Sequence, residues 1–284
     1  MIKRYLLLLA TLGVALTAFA GSAGAITGNY TDDFIHDNVG LLVFYTSDTP
    51  AGEDPFSHRC SGTLISSTLM VTAGHCTQGV DSGRVYFQQA AAPNYDPNAF
   101  GGWGGDPTTG YPYQNGVTFK RADNFGFLLG FPETGDLGVV VLDTPVTPAN
   151  GFAKLPGVGD VDTYVNTAAK KQQARFTVSG YGLSDQDPVP VSFRERLMAT
   201  SYAVNNEAPI TEFNLKTTAN ASQGKGGTCN GDSGGPLFFY GSNVIAAVTS
   251  FGMNGQCKGL DFSYRLDRAH LLAWITNPNR VDAG

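Results

Sequence analysis

The chain has 284 residues, 42% hydrophobic and only 15% charged, with 18 Lys and Arg against 24 Asp and Glu for a net charge of −6. Such a balance excludes an intrinsically disordered chain, and an acidic surplus without a basic stripe argues against nucleic acid as the main partner. With 36 Gly and 15 Pro dividing short apolar runs, the composition points to an all-β chain long enough for one large domain or two lobes sharing a site.

The N-terminus reads as a signal peptide. Lys3 and Arg4 precede a largely apolar stretch from Tyr5 to Phe19, and small residues offer two A-x-A cleavage points, Ala18-Phe19-Ala20 and Ala23-Gly24-Ala25. Removing residues 1–25 takes away two bases and no acid, leaving 16 against 24 and a net charge of −8. No later run is apolar enough to span a bilayer, so residues 26–284 are expected to be exported, extracellular or periplasmic, and free of the membrane after cleavage.

Val39 to Tyr45 predicts a strand, and Ser61–Ile65 and Leu69–Ala73 predict a hairpin around Ser66-Ser67-Thr68. Arg84 to Gln88 alternates as a strand does. Residues 93–116, rich in Gly and aromatics, read as a surface loop. Leu137 to Leu142 is almost continuously apolar and predicts a buried strand. Arg175–Ser179 and Val244–Thr249 are further strands, with Gly241-Ser242-Asn243 turning into the latter from Leu237–Tyr240. Leu266, Ala269, Leu271, Leu272 and Ile275 carry helical spacing that ends before Pro278. The boundary between two lobes is not visible.

The four cysteines, Cys60, Cys76, Cys229 and Cys257, suggest two disulfides in an exported chain. Three pairings are open, of which Cys60 with Cys76 and Cys229 with Cys257 closes two short loops. No C-x-x-C pair favours zinc, and no metal or cofactor motif is present.

Three segments carry chemistry. In Gly231-Asp232-Ser233-Gly234-Gly235-Pro236 a serine stands among glycines that let backbone N–H groups approach a reacting carbonyl, so Gly231 and Ser233 are candidates to hold an oxyanion. A serine hydroxyl needs a base. Thr72-Ala73-Gly74-His75-Cys76 supplies an imidazole at the end of an apolar strand. The other histidines have duller settings: His36 in a polar stretch, His58 beside Arg59 in a loop, His270 in the terminal helix. Asp136, just before the apolar Leu137–Leu142, is placed to orient that imidazole, with Asp143 as the rival carboxylate.

Together these segments resemble the chymotrypsin/trypsin-like serine peptidases, in the order His, Asp, Ser. The likeness runs from about Ile26 to the terminal helix and is loose over residues 77–130 and 143–175. It implies two six-stranded antiparallel β-barrels, the local disulfide pairing, and attack by Ser233 on a peptide carbonyl through an acyl-enzyme. It also implies a substrate pocket around Gly227, Ser250, Phe251, Gly252 and Asp261. Gly227 stands where an acid often lies, and Asp261 stands where Gly is usual; Asp261 therefore suggests either a preference for Arg or Lys before the scissile bond or a narrowed pocket. Ile26-Thr27-Gly28-Asn29 resembles the family's mature N-terminus, whose ammonium would pair with Asp232. The partners implied are protein or peptide substrates and protein inhibitors, and a monomer is expected. Two other readings stand beside this one. Gly231 to Gly235 also fits the G-x-S-x-G elbow of an esterase, although only 51 residues follow Ser233. A catalytically silent binding protein on the same scaffold is the other.

Overall fold

A computed structural model describes residues 26–46, 56–91, 113–169, 174–185, 194–204, 210–280 and 282. The expected signal peptide and positions 93–112 of the Gly- and aromatic-rich stretch lie outside the described residues. Positions 114–116 of that stretch begin a strand, Gln114–Arg121, that the loop reading did not foresee.

The first lobe is a closed antiparallel barrel. Its strands follow the order Val39–Tyr45, Phe56–Leu64, Leu69–Thr72, Gly138–Leu142, Gln114–Arg121 and Ser82–Tyr86, which pairs back onto Val39–Tyr45. Side chains alternate across a strand, and here both faces are covered. Leu42 and Phe44 pack with Leu64, Met70, Val85 and Val140. Val39, Leu41, Val43 and Tyr45 pack on the other side, in a cluster that contains Tyr181, Phe238 and Val248 of the second lobe. Burial on both faces explains why this strand is apolar at nearly every position instead of every second one.

The second lobe is a seven-stranded sheet in the order Asn214–Ala219, Gly259–Arg265, Ile245–Gly252, Pro236–Phe239, Arg175–Gly180, Leu197–Tyr202 and Tyr30–Asp32. The first six curl towards closure. Ala203, just past Leu197–Tyr202, bridges to Thr217, and the Val204 N–H donates to the Lys216 carbonyl. Tyr30–Asp32 is one strand more than expected and lies on the outer edge of Leu197–Tyr202. A short strand, Thr27–Gly28, pairs with Gly226–Gly227 and carries Ile26 into the core.

The terminal helix is Ala269–Thr276, and Leu271, Trp274 and Ile275 bury its inner face. Leu266 is buried as its spacing implied, but it precedes the helix. The helix Asp160–Thr167 escaped the sequence reading because only Val161 and Val165, one turn apart, are buried in an otherwise polar stretch. Its first turn is tied down from afar: the Val161 N–H donates to Asp267, whose carboxylate also holds the buried Arg265 guanidinium.

Candidate active site

The first barrel supplies two of the three expected groups. Leu69–Thr72 runs into a 3₁₀ turn, Gly74–Cys76, that presents His75, while Asp136 comes two residues before Gly138–Leu142. These two strands pair as Thr72 with Gly138 and Val71 with Val139, so imidazole and carboxylate meet at one end of one ladder. Asp136 Oδ2 lies 2.9 Å from His75 Nδ1, and Oδ1 accepts the His75 backbone N–H at 2.8 Å. Ser250 Oγ donates to Asp136 Oδ2 as well. Asp136 is wholly buried and the His75 side chain is 21% exposed. Burial pushes the Asp136 carboxyl up, but the His75 charge and the hydrogen bonds from His75 and Ser250 outweigh it and bring it below the ordinary value. The rival, Asp143, is exposed and bonds to Asn115.

The second lobe supplies Ser233, in the turn before Pro236–Phe239. Ser61 of the first barrel clamps that turn from across the lobes: its N–H donates to the Ser233 carbonyl at 2.8 Å and its Oγ to the Gly231 carbonyl at 3.0 Å. Gly231 and Gly234 have φ of +97° and +76°, and a Cβ on Gly234 would stand 2.0 Å from Thr72 Oγ1. Only glycine lets the turn lie this close to the strand that leads to His75. The Gly231 and Ser233 N–H groups make no backbone hydrogen bond among the described residues. Ser233 and His75 line the same two cavities, and Cys76 Sγ touches both His75 Nε2 (3.8 Å) and the Ser233 carbonyl (3.7 Å). Ser233 Oγ itself forms no hydrogen bond among the described residues.

The cysteines pair as the resemblance implied, Cys60–Cys76 beneath the histidine and Cys229–Cys257 beside the serine turn. Cys60, His75 and Cys76 form the one cluster of metal-type ligands among the described residues, and its two sulfurs are spent in the first disulfide.

One cavity, of about 340 Å³, is walled by Thr228, Ser250, Phe251 and Gly252 and opens at His75 and Ser233. Of the five expected pocket residues, Ser250, Phe251 and Gly252 line it. Gly227 and Asp261 pack behind the wall. A Cβ on Gly227 would stand 2.8 Å from Asp261 Oδ2. That oxygen accepts the Thr228 N–H at 2.6 Å and the Thr228 hydroxyl at 2.9 Å. Burial pushes the Asp261 carboxyl up to about 7 despite these two bonds. Asp232 is also fully buried, holding the Gly182 and Cys229 N–H groups, and burial raises its carboxyl well above the ordinary value. The Ile26 side chain is fully buried as well.

Several participants were missed. Ser61 carries no motif, and its role arises only when the lobes meet. Phe127, whose ring centroid lies 4.8 Å from that of His75, belongs to Phe125-Gly126-Phe127-Leu128-Leu129-Gly130-Phe131, an apolar run that could have been noticed just ahead of Asp136. In that run Leu129 is fully exposed, and Phe131 packs edge-on against Phe251. The loop setting given to His58 and Arg59 is corrected: both lie on the long strand Phe56–Leu64 and line the second cavity beside Ser233. Ser250 was expected to meet substrate, yet its hydroxyl is engaged by Asp136.

No helix among the described residues is long and apolar enough to cross a membrane. A family model described as trypsin matches residues 42–275. Brachyurin from Leptuca pugilator is 29% identical over 202 residues, covering 70% of this chain and 78% of its own. Among solved structures, HL collagenase superposes with a TM-score of 0.59 at 18% identity, covering 87% of this chain and 93% of its own. Human heparin binding protein does so with 0.57 at 18%, covering 90% and 100%.

Proposed function

The chain belongs to the trypsin family, and on that premise we propose that it is a secreted serine endopeptidase with Ser233 as nucleophile, His75 as general base and Asp136 as the carboxylate that orients it. The observation that carries this reading is the buried Asp136 held between the Nδ1 and the backbone N–H of a histidine that shares its cavities with Ser233. Asp136 accepts at Nδ1, which keeps the proton there and leaves Nε2 as a base towards the hydroxyl. Ser233 Oγ then attacks a peptide carbonyl, its proton passing to His75, and the Gly231 and Ser233 N–H groups receive the oxyanion. Collapse expels the amine with the proton from His75, and water releases the acid by the same path. Covalent labelling by a fluorophosphonate, coupled to hydrolysis of a peptide library, tests the reading. A binding protein on this scaffold would show neither.

Two finer points belong to the same proposal. Cleavage after Ala25, at the end of a signal peptide, would free the Ile26 ammonium. Ile26 is already in the core, and the buried Asp232 carboxyl is held by N–H donors without a described ion pair of its own. A buried acid in that state gains from a cation. N-terminal sequencing of active protein is expected to begin at Ile26, and a different start would remove this activation route.

The second point is selectivity. Asp261 directs Oδ1 towards Gly252 at the back of the cavity, 3.5 Å from where a Cβ on that glycine would stand, and this supports a preference for Arg or Lys before the scissile bond. With its carboxyl pushed up to about 7, Asp261 is charged above that pH and neutral below it. The ratio of kcat/KM for an Arg substrate to that for a Leu substrate is therefore expected to rise through about pH 7. The rise should be about tenfold, for a charge coupling of about 1.4 kcal/mol. Groups that act alike on both substrates cancel in the ratio. In Asp261→Gly the rise should vanish; an unchanged ratio would remove Asp261 from selectivity.

A further inference from the structure

We propose that a cavity on the outer face of the second lobe, lined by His36, binds a neutral aromatic molecule through a hydroxyl or N–H donor, as a phenol or an indole offers. The site stands apart from the peptidase reading, since none of its lining residues borders the cavities at Ser233. Its floor is a sheet surface. Thr177 pairs with Thr200, and Met198 with Thr31, on the strands Arg175–Gly180, Leu197–Tyr202 and Tyr30–Asp32. Residues two apart on a strand share a face, so these side chains lie on one side of the sheet. Residues 33–38 fold onto that side, where His36 stacks on Phe238, and the turn Gly241-Ser242-Asn243 borders it as well. Together they frame about 670 Å³, a volume suited to a small molecule.

His36 is the group that points to a ligand. It is 7% exposed, and its ring centroid lies 4.6 Å from that of Phe238. Nδ1 lies 2.8 Å from Asp33 Oδ2, which also takes the Ser179 hydroxyl at 2.6 Å, and Asp33 Oδ1 accepts the His36 backbone N–H at 2.9 Å. Burial pushes the Asp33 carboxyl up, but the His36 bond and charge and the Ser179 bond outweigh it and bring it below the ordinary value. An ionised Asp33 keeps the ring proton on Nδ1, so Nε2 carries a lone pair. Among the described residues Nε2 has no partner, and it is not sealed from the cavity that His36 lines. Asp136 holds His75 by the same three kinds of bond, yet what faces the two rings differs. The only serine among the described lining residues, Ser242, donates to the Phe239 carbonyl and accepts the Val244 N–H. No activated serine therefore stands before His36, and the ring serves as an acceptor for binding. No Asp, Glu, Lys or Arg is among the described lining residues either. A carboxylate would meet the lone pair, and a cation would meet Arg175, whose guanidinium lies 4.0 Å over the Tyr240 ring. Ile35 and Tyr240, 57% and 44% exposed, border the same cavity and offer apolar contact to a ring whose donor reaches Nε2.

Probes of one shape read the site in the unaltered protein: p-cresol, toluene, p-toluate and benzylammonium, each titrated in mildly alkaline solution, where an imidazole is neutral. The ¹⁵N resonances of the histidine rings follow each titration. p-Cresol is expected to bind about tenfold more tightly than toluene, the worth of one hydrogen bond, and more tightly than either ion. It should move the Nε2 resonance of His36 while Nδ1 keeps its proton. The His75 ring reports any occupancy of the cavities at Ser233 separately, so binding there is not mistaken for this site. In His36→Phe the preference for p-cresol over toluene should fall to about unity. Thr200→Phe, a change on the sheet face away from Asp33, should fill the cavity and weaken both ligands. N-acetyltyrosinamide binding more tightly than p-cresol would support the site with a polypeptide tyrosine as the donor's source, and weaker binding would support it with a free phenol. Equal affinities for p-cresol and toluene in the unaltered protein, tighter binding of p-toluate, or p-cresol binding that leaves His36 Nε2 unmoved would each overturn the proposal, whether or not the variants fold.

Discussion

Replacing Ser233 by alanine is expected to lower kcat for peptide hydrolysis by about 10⁶-fold and to abolish fluorophosphonate labelling, with the melting temperature almost unchanged. The loss is large because nothing nearby can take over. Ser61 Oγ is committed to the Gly231 carbonyl, Thr72 Oγ1 to the Ser61 carbonyl and Ser250 Oγ to Asp136. The fold should be indifferent because Ser233 Oγ forms no hydrogen bond among the described residues, while the Ser233 carbonyl still receives the Ser61 N–H. Truncation therefore leaves no buried partner unsatisfied. A residual rate of about 10³–10⁴ over uncatalysed hydrolysis should remain from the oxyanion donors and substrate binding. Retained labelling would point to another nucleophile. An unaltered protein that takes no label would favour a binding role on this scaffold.

The chemistry of this chain was more legible than its frame. His75, Asp136 and Ser233 each stand in short segments whose glycines and apolar neighbours are there for local reasons. Gly234 is forced by its approach to Thr72, and the valines after Asp136 by burial on both faces. Those constraints leave a readable pattern. Leu197–Tyr202 and Asn214–Ala219 do not, because their alternation rests on Ala, Ser and Thr buried against one another, with Ser201 bonded to Thr218, and carries little hydrophobic contrast. The Ser61 clamp and the cavity at Arg59 were invisible for a different reason. Both arise between residues more than 150 positions apart, joined only when the two lobes close on the serine turn.

Asp136→Asn is expected to lower kcat by about 10⁴-fold near neutral pH while leaving KM close to its original value. The argument lies in which oxygen has a choice. Asp136 Oδ1 accepts the His75 backbone N–H, a donor fixed by the 3₁₀ turn. An asparagine must keep its carbonyl oxygen there, so its amide nitrogen falls where Oδ2 stood, against His75 Nδ1 and Ser250 Oγ. An N–H aimed at Nδ1 makes that nitrogen the acceptor and moves the ring proton to Nε2, the atom that should receive the Ser233 proton. The base is then blocked without being displaced. In the native protein the Asp136 carboxyl lies below the ordinary value, so its own protonation should not appear in the neutral range of a pH–rate profile. ¹⁵N resonances of the His75 ring would report the exchange of tautomers directly. A variant that keeps Nδ1 protonated, or that loses KM instead of kcat, would show that Asp136 acts on the shape of the site and not on the proton.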